Sequence, residues 1–356
     1  MDAPSTPKSR GTRRLVLPRP SGAARRWSLH APAAARTVRV TEVRRETQEA
    51  ITLMLESEDG RPIPFRAGQY LTHCFDLGGE PLRRAYSISS AEGQRLACTI
   101  KALADGRVSQ HVLNTLKAGD RYPVLGPSGD FLLPEDTTAP LLFLAGGSGI
   151  TPVVSLIETA LAHQPDLAIR LAYVNRNPEQ TIFGERLEQL AARHPNFRVK
   201  LLWTGRNPRP DATALVRALH PEPQAIAYLC GPQGLMDAGL FALRAAGFPE
   251  TRIRQERFLA APRAQPRPTA PQDIVFRRSG RTVVQQAGES ILDAGLRAGL
   301  KLEFSCTVGG CGHCKLKVLD GTPLLNEPNC LSESERGAGW TLACSACATG
   351  PLTVDA

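Results

Sequence analysis

Three cysteines within nine residues limit what this chain can become more than any other feature. Cys306-Thr-Val-Gly-Gly-Cys311-Gly-His-Cys314 sets thiols at C-x4-C-x2-C, and Cys344 follows after 29 intervening residues. That spacing suits a [2Fe-2S] cluster, in which two ferric ions bridged by two sulfides take four thiolates around one compact core. One loop can supply three of them only by wrapping the core. Gly309, Gly310 and Gly312 permit such wrapping, because glycine tolerates positive φ and lets backbone N–H groups approach the sulfides. Four cysteines also fit a tetrahedral zinc site, but zinc ribbons favour paired C-x2-C knuckles over three thiols in one loop. Iron–sulfur is therefore the expected reading, with Cys330 and Cys347 competing with Cys344 for the fourth place. Cys74, Cys98 and Cys230 show no disulfide-like framework, which suits a reducing cytosol.

The formal net charge of +9 invites a polyanionic partner, yet +7 of it lies in residues 1–36, which hold five prolines and little apolar periodicity. This segment reads as a basic flexible tail, able to meet an acidic partner or touch a membrane peripherally. Arg13-Arg14 superficially resembles a twin-arginine export signal, but Pro18-Arg19-Pro20 stands where an apolar segment should follow. No run reaches the ~18 apolar residues of a membrane span. A soluble, cytoplasmic and monomeric chain is expected. A zinc module joined to the tail would make a nucleic-acid binder, a reading that ranks below the iron–sulfur one, so nucleic acid is not an expected partner.

At ~150 residues per domain, 356 residues imply two or three domains. From Thr37 the pattern is a series of short alternating strands (Thr37 to Val43, Ile51 to Leu55, Tyr70 to Phe75, Tyr86 to Ser89, Leu96 to Ile100) with one helical stretch, Val108 to Leu116. An antiparallel β-barrel over 37–135 is expected. Over 136–258 strands alternate with helices, which implies a parallel sheet covered on both faces. Residues 259–271 carry four prolines and read as a semi-rigid linker. Residues 272–356 form a last small domain around the cysteines.

Two further motifs carry chemistry. Arg84-Ala-Tyr86-Ser87-Ile-Ser-Ser90 supplies a guanidinium fork for a diphosphate and an aromatic cover for a ring. Ala145-Gly146-Gly147-Ser-Gly149-Ile150-Thr151-Pro152 lies at a strand-to-helix junction. Thr151 is expected to cap the helix and Pro152 to open it, leaving N–H groups free for a pyrophosphate.

Together these motifs resemble the ferredoxin-NADP reductase superfamily. The match is R-x-Y-S-x-x-S at 84–90, Ile100-Lys101 with Gly106-Arg107-Val108-Ser109, G-G-x-G-x-T-P at 146–152 and Cys230-Gly231-Pro232. Phe304-Ser-Cys306 to Cys314 and Gly339-Trp-Thr-Leu-Ala-Cys344 resemble the plant-type ferredoxin domain of bacterial oxygenase reductases, of the phenylacetyl-CoA epoxidase, ketosteroid hydroxylase and hybrid-cluster-protein reductase type. The resemblance implies a multi-domain chain: an FAD-binding antiparallel β-barrel, an α/β parallel-sheet NAD(P) domain and an α+β β-grasp ferredoxin domain. It selects Cys344 as the fourth ligand and makes Cys330 and Cys347 bystanders. It implies that Arg84, Tyr86, Ser87, Ser90 and the Gly106 to Ser109 turn hold FAD, with Ser109 as cap and phosphate ligand. It sets Ser87 and Cys230 beside the reacting rings and Phe258 beside the flavin, a core role for Phe258 being the alternative. Strand two ends in Asn175-Arg176 without the acidic residue usual for NAD, so Arg176, with Arg206, is expected to meet a 2′-phosphate unless it pairs with Glu179. Electrons would pass from NAD(P)H through FAD and the cluster to an oxygenase, hydroxylase or desaturase, a hybrid-cluster protein being the alternative acceptor.

Overall fold

The structure is a computed structural model, described for residues 35–135, 138–205, 211–220, 222–258, 270–327 and 329–356. Most of the basic tail, Arg206 and residues 259–269 of the linker lie outside the described residues.

The first sheet contains β1 (Arg36–Thr47), β2 (Ala50–Ser57), β3 (Tyr70–Asp76), β4 (Pro81–Ser87), β5 (Ala97–Lys101) and, after helix α1 (Arg107–Thr115), β6 (Arg121–Ser128). Its order is β4-β3-β6-β1-β2-β5, all antiparallel, and a bridge between Ile88 and Cys98 joins the two edges into a barrel. Alternation does the work predicted for it: Val38, Val40, Leu53, Leu55 and Leu71 point inward against Val108 and Val112 of α1. β6 is a strand that sequence reading missed. Pro123 and Pro127 resemble turn punctuation, yet Pro123 pairs with Thr37 in register and the β3–β6 register shifts between Tyr70 and Thr72.

The second sheet has β7 (Leu141–Gly146), β8 (Ile169–Asn175), β9 (Phe197–Trp203), β10 (Ile226–Cys230) and β11 (Ile253–Glu256), all parallel in the order β11-β10-β7-β8-β9. Helices α2 (Ile150–His163) and α3 (Gly184–Arg193) pack with one apolar cluster, α4 (Ala212–Ala218) and α5 (Gln233–Ala245) with another. α3 begins only at Gly184, because the Asn177 carboxamide accepts from the Gln180 N–H at 2.9 Å and closes a separate 3-10 turn first. The chain leaves β7 for β8 on one side and meets β10 on the other, so the order reverses there and opens a crevice at the carboxyl ends of β7 and β10.

The third unit pairs β12 (Gln272–Phe276), β13 (Arg281–Gln285), β14 (Lys315–Asp320), β16 (Trp340–Leu342) and β18 (Leu352–Val354) in the order β13-β12-β18-β14-β16. β12 and β18 run parallel and α6 (Ile291–Arg297) lies across them, started by a reciprocal Ser290–Asp293 capping box, a β-grasp arrangement. A ribbon of β15 (Pro323–Leu325) and β17 (Ala346–Ala348) and a short α7 (Glu333–Gly337) complete it. Among the described residues no helix is long and apolar enough to cross a membrane.

Candidate functional site

The barrel and the parallel-sheet unit share a core: Ala50, Ala67 and Phe131 pack with Val153, Ile157 and Tyr228. Polar contacts cross the same seam, with the Ser155 hydroxyl donating to the Ser90 carbonyl at 2.6 Å and the Tyr228 hydroxyl to the Leu132 carbonyl at 2.8 Å. This seam brings Ser87, at the end of β4, to Glu256, at the end of β11, with the hydroxyl donating to the carboxyl at 3.4 Å. Glu256 is in turn the register partner of Cys230 at the end of β10. Ser87, Cys230 and Glu256 therefore meet at one point. Glu256 was not found from the sequence, since it lies 169 residues from Ser87 and belongs to no local motif.

Burial pushes the Glu256 carboxyl up to about 8, only partly offset by the Ser87 hydroxyl. Below the ordinary value of 4.5 the group is protonated whether the chain is folded or not. As pH rises from there the unfolded chain ionises first, so stability contributed by the protonated carboxyl is lost up to about 8 and the curve then levels off. The variant Glu256→Gln should lose that slope: melting temperature measured from pH ~5 to pH ~9 falls in the parent and falls less in the variant. Equal slopes would show a carboxylate already ionised in the fold. The Cys230 thiol, fully buried, is likewise pushed up by desolvation and is held neutral.

The rest of the first constellation lies along β4 and α1. Arg84 is half-buried, donates to the Arg83 carbonyl at 2.6 Å and is lowered by desolvation, with Arg107 and Glu80 as charged neighbours. Arg107 pairs with Glu80 at 2.7 Å, and Lys101 with Glu49 at 3.4 Å. Tyr86 packs edge-on to the buried His73, ring centroids 5.2 Å apart. Ser90 accepts from the Ala97 N–H at 3.1 Å, while Ile100 and Val108 are in the core. Ser109 does not cap α1. Gly106 holds the cap position, and the Ser109 hydroxyl instead accepts from Leu103 N–H and donates to the Gly106 carbonyl, both at 3.1 Å. A Cβ on Gly106 would lie 2.2 Å from that hydroxyl. No side chain caps α1, and the N–H groups of a helix start together with the neighbouring Arg84 and Arg107 guanidinia are a donor set that fits a diphosphate.

The glycine-rich turn differs in detail from expectation. α2 starts at Ile150 after a 3-10 turn over Gly147–Gly149, so Gly149 is the cap, and Thr151 and Pro152 fall inside the first turn. The Thr151 hydroxyl donates to the Ser148 carbonyl at 3.0 Å. Close packing between the two loops explains three of the glycines. A Cβ on Gly149 would sit 2.1 Å from the Cys230 carbonyl oxygen, one on Gly231 2.9 Å from Gly146 N, and one on Gly146 2.7 Å from Pro232. Gly147 differs: its φ is +53 and nothing lies within 4 Å, an open left-handed position above an uncapped helix. That cradle fits a pyrophosphate. Arg176 is exposed and forms no ion pair with Glu179 or any other acid among the described residues. Phe258 is 43% exposed, which removes the core alternative.

In the third unit the loop before β14 turns back on itself with three positive φ values, at Thr307, Gly309 and Gly312. The turned backbone aims N–H groups at sulfur: Gly310 N donates to Cys306 Sγ at 3.3 Å and Cys306 N to Cys311 Sγ at 3.5 Å. The thiols stand in two pairs, Cys306 with Cys311 and Cys314 with Cys344, the latter 3.2 Å apart. Two pairs are what a two-iron rhomb with bridging sulfides takes, one pair per iron. In each pair the thiol-to-thiol hydrogen bond draws one member down and pushes the other up: Cys311 is lowered by the Cys306 thiol first and then by the N–H groups of Cys306 and His313, and Cys344 by the Cys314 thiol first, then Ser345 and Gly309, while Cys306 and Cys314 are raised. Thiolates are the form iron binds. Cys347 lies on β17, its sulfur 3.8 Å from the Leu324 carbonyl, and Cys330 flanks the loop, its N–H donating to Gly309.

Comparison with known proteins agrees with this architecture. Residues 37–132 match the oxidoreductase FAD-binding domain, 143–239 the oxidoreductase NAD-binding domain and 274–349 the 2Fe-2S iron-sulfur cluster binding domain. Over 344 residues the chain is 33% identical to a 1,2-phenylacetyl-CoA epoxidase component of Escherichia coli, covering 89% of this chain and 95% of that one. It is 30% identical over 288 residues to an NADPH oxidoreductase of Mycobacterium tuberculosis, covering 80% and 75%. Phthalate dioxygenase reductase superposes with a TM-score of 0.69 at 25% identity, over 90% of this chain and 98% of the other. An intact type IV self-sufficient cytochrome P450 monooxygenase also superposes, with a TM-score of 0.66 at 26% identity over 90% of this chain, which spans only 41% of that longer protein. A flavin barrel, a nicotinamide-nucleotide domain and a β-grasp cluster domain in one chain define an NAD(P)H-dependent flavin and iron–sulfur oxidoreductase. The chain belongs to the ferredoxin-NADP reductase superfamily, in its oxygenase-reductase branch with a C-terminal [2Fe-2S] ferredoxin domain.

Proposed function

We propose that this chain takes reducing equivalents from NAD(P)H and delivers them singly to a partner oxygenase, hydroxylase or desaturase. When bound, FAD accepts a hydride and the [2Fe-2S] cluster carries one electron at a time. Arg84, Arg107 and the uncapped start of α1 hold the FAD diphosphate; Tyr86 covers a ring, and Ser90 fixes the strand end from which Ser87 projects. The Gly146–Pro152 turn and Cys230-Gly231-Pro232 receive the nicotinamide nucleotide. Ser87, Cys230 and Glu256 orient the reacting rings and exclude water from between them. Cys306, Cys311, Cys314 and Cys344 bind the cluster.

One observation carries the reading: the Ser87, Cys230 and Glu256 convergence and the cysteine loop are reached from neighbouring residues of a single strand pair. Tyr70 of β3 is the register partner of Ser87, and its hydroxyl lies 2.7 Å from Ser305 Oγ, next to Cys306. Relatives named as components of an epoxidase and of monooxygenases support an oxygenase as acceptor. The test is to mix the purified, flavin- and iron-loaded protein with candidate oxygenases and NADPH or NADH, and to follow reduction of the oxygenase iron. Consumption of NAD(P)H without reduction of any such partner would overturn the acceptor assignment.

Arg176 supports NADPH as the coenzyme, since an exposed guanidinium just past β8, with no ion pair among the described residues, suits a 2′-phosphate, and Asn175-Arg176 offers no carboxylate for the ribose of NADH. Arg176→Ala should raise KM for NADPH about tenfold, the loss of one charge-assisted contact, and leave KM for NADH unchanged. Equal shifts for both coenzymes would remove Arg176 from this role.

A further inference from the structure

Among the described residues, the shortest polar contact between the cysteine loop and the barrel is made by one side chain. Tyr70 is buried, its ring lying where a Cβ on Gly129 would come within 3.1 Å of two ring carbons, so the glycine at 129 leaves room for the ring. Its hydroxyl meets Ser305 Oγ at 2.7 Å in a buried bond between residues 235 apart in sequence, and Ser305 directly precedes the Cys306 ligand. Two longer contacts flank it: Thr72 Oγ1 donating to the Ser305 carbonyl at 3.5 Å, and His313 Nε2 at 3.8 Å from the Asp130 carboxyl. Thr72 is the next residue of β3 whose side chain shares the face of Tyr70.

We infer that Tyr70 is the positioning residue that holds the ferredoxin domain on the flavin barrel, its hydroxyl acting as a latch on Ser305 beside the cysteine loop. The inference rests on the cofactor assignment above and adds to it a named, breakable contact. The hydroxyl needs a polar partner in this buried place. With the ferredoxin domain docked it has one; with the domain displaced it turns to water, and Ser305 does the same.

The experiment uses the full, flavin- and iron-loaded chain as parent, Tyr70→Phe, Ser305→Ala and the double variant. Amide hydrogen exchange is followed in residues 304–312, and electron transfer from flavin to cluster is timed after rapid mixing with NAD(P)H. Each single variant should raise exchange in that segment about fivefold, the size of one ordinary net hydrogen bond, and the double variant should add nothing further. Tyr70→Phe should also slow the flavin-to-cluster step, while the rate at which NAD(P)H reduces the flavin is unchanged. Unchanged exchange in both single variants, or effects that add independently, would overturn the latch. So would loss of the cluster from both singles, which would make the two hydroxyls part of cluster assembly. A parent protein that bound no cluster would contradict the cofactor assignment instead, and its absorption spectrum shows that before any variant is made.

Discussion

Replacing Cys344 by serine should empty the iron–sulfur site and leave the flavin in place. The thiol is buried 3.2 Å from Cys314, and its neighbours, Cys314 first and then Ser345 and Gly309, already favour its ionised form. A serine hydroxyl there would stay protonated at neutral pH and offer iron a far poorer ligand. Changes to groups merely surrounding a metal ligand cost about 10- to 100-fold in affinity, so loss of a ligand itself should exceed that range. Iron and acid-labile sulfide should fall to background in Cys344→Ser, and the signal of the reduced cluster should vanish. Reduction of ferricyanide, which can draw on the flavin alone, should persist. Cys330→Ser and Cys347→Ser should keep full iron, because Cys347 sits on β17 against the Leu324 carbonyl and Cys330 lies outside both thiol pairs. A variant at Cys330 or Cys347 that lost iron while Cys344→Ser retained it would reassign the fourth ligand.

The second large effect belongs to Gly149. Alanine there would put its Cβ 2.1 Å from the Cys230 carbonyl oxygen, 2.4 Å from its carbon and 2.8 Å from Gly231 N. All three are backbone atoms at the end of a central strand, so no side-chain rotation relieves the overlap. Overpacked cores cost about 1–3 kcal/mol, and a clash with backbone belongs at the top of that range. Gly149→Ala should lower the melting temperature by about 10 °C and raise KM for NAD(P)H, because β7 and β10 must part where the nucleotide binds. Gly147→Ala is the comparison. It meets open space and pays only for its left-handed φ of +53, about 1 kcal/mol. Equal losses from the two would show that conformation and not loop-to-loop packing sets the cost.

What the sequence revealed follows from how local each feature is. Cysteine spacing, the Gly146–Pro152 turn and the β/α alternation are written within a few residues, and the fold has them. Helix starts were displaced by side-chain competition that spacing does not encode: the Ser109 hydroxyl is occupied by Leu103 and Gly106, and Asn177 closes a short turn ahead of α3. β6 was hidden by two prolines that a barrel strand tolerates. Glu256 and Tyr70 were invisible for a different reason. Each becomes functional only when distant segments meet, Glu256 with Ser87 and Tyr70 with Ser305, and neither bears a motif.

The central claim is that electrons enter at the Ser87, Cys230 and Glu256 convergence and leave through the four cysteines. Anaerobic rapid mixing of the loaded protein with NADPH, followed across the visible spectrum, tests it directly. The flavin band should bleach first and the cluster band follow within the same turnover, with one electron appearing on the cluster. A bleached flavin beside a cluster that stays oxidised, or a protein that holds zinc in place of iron and sulfide, would contradict it.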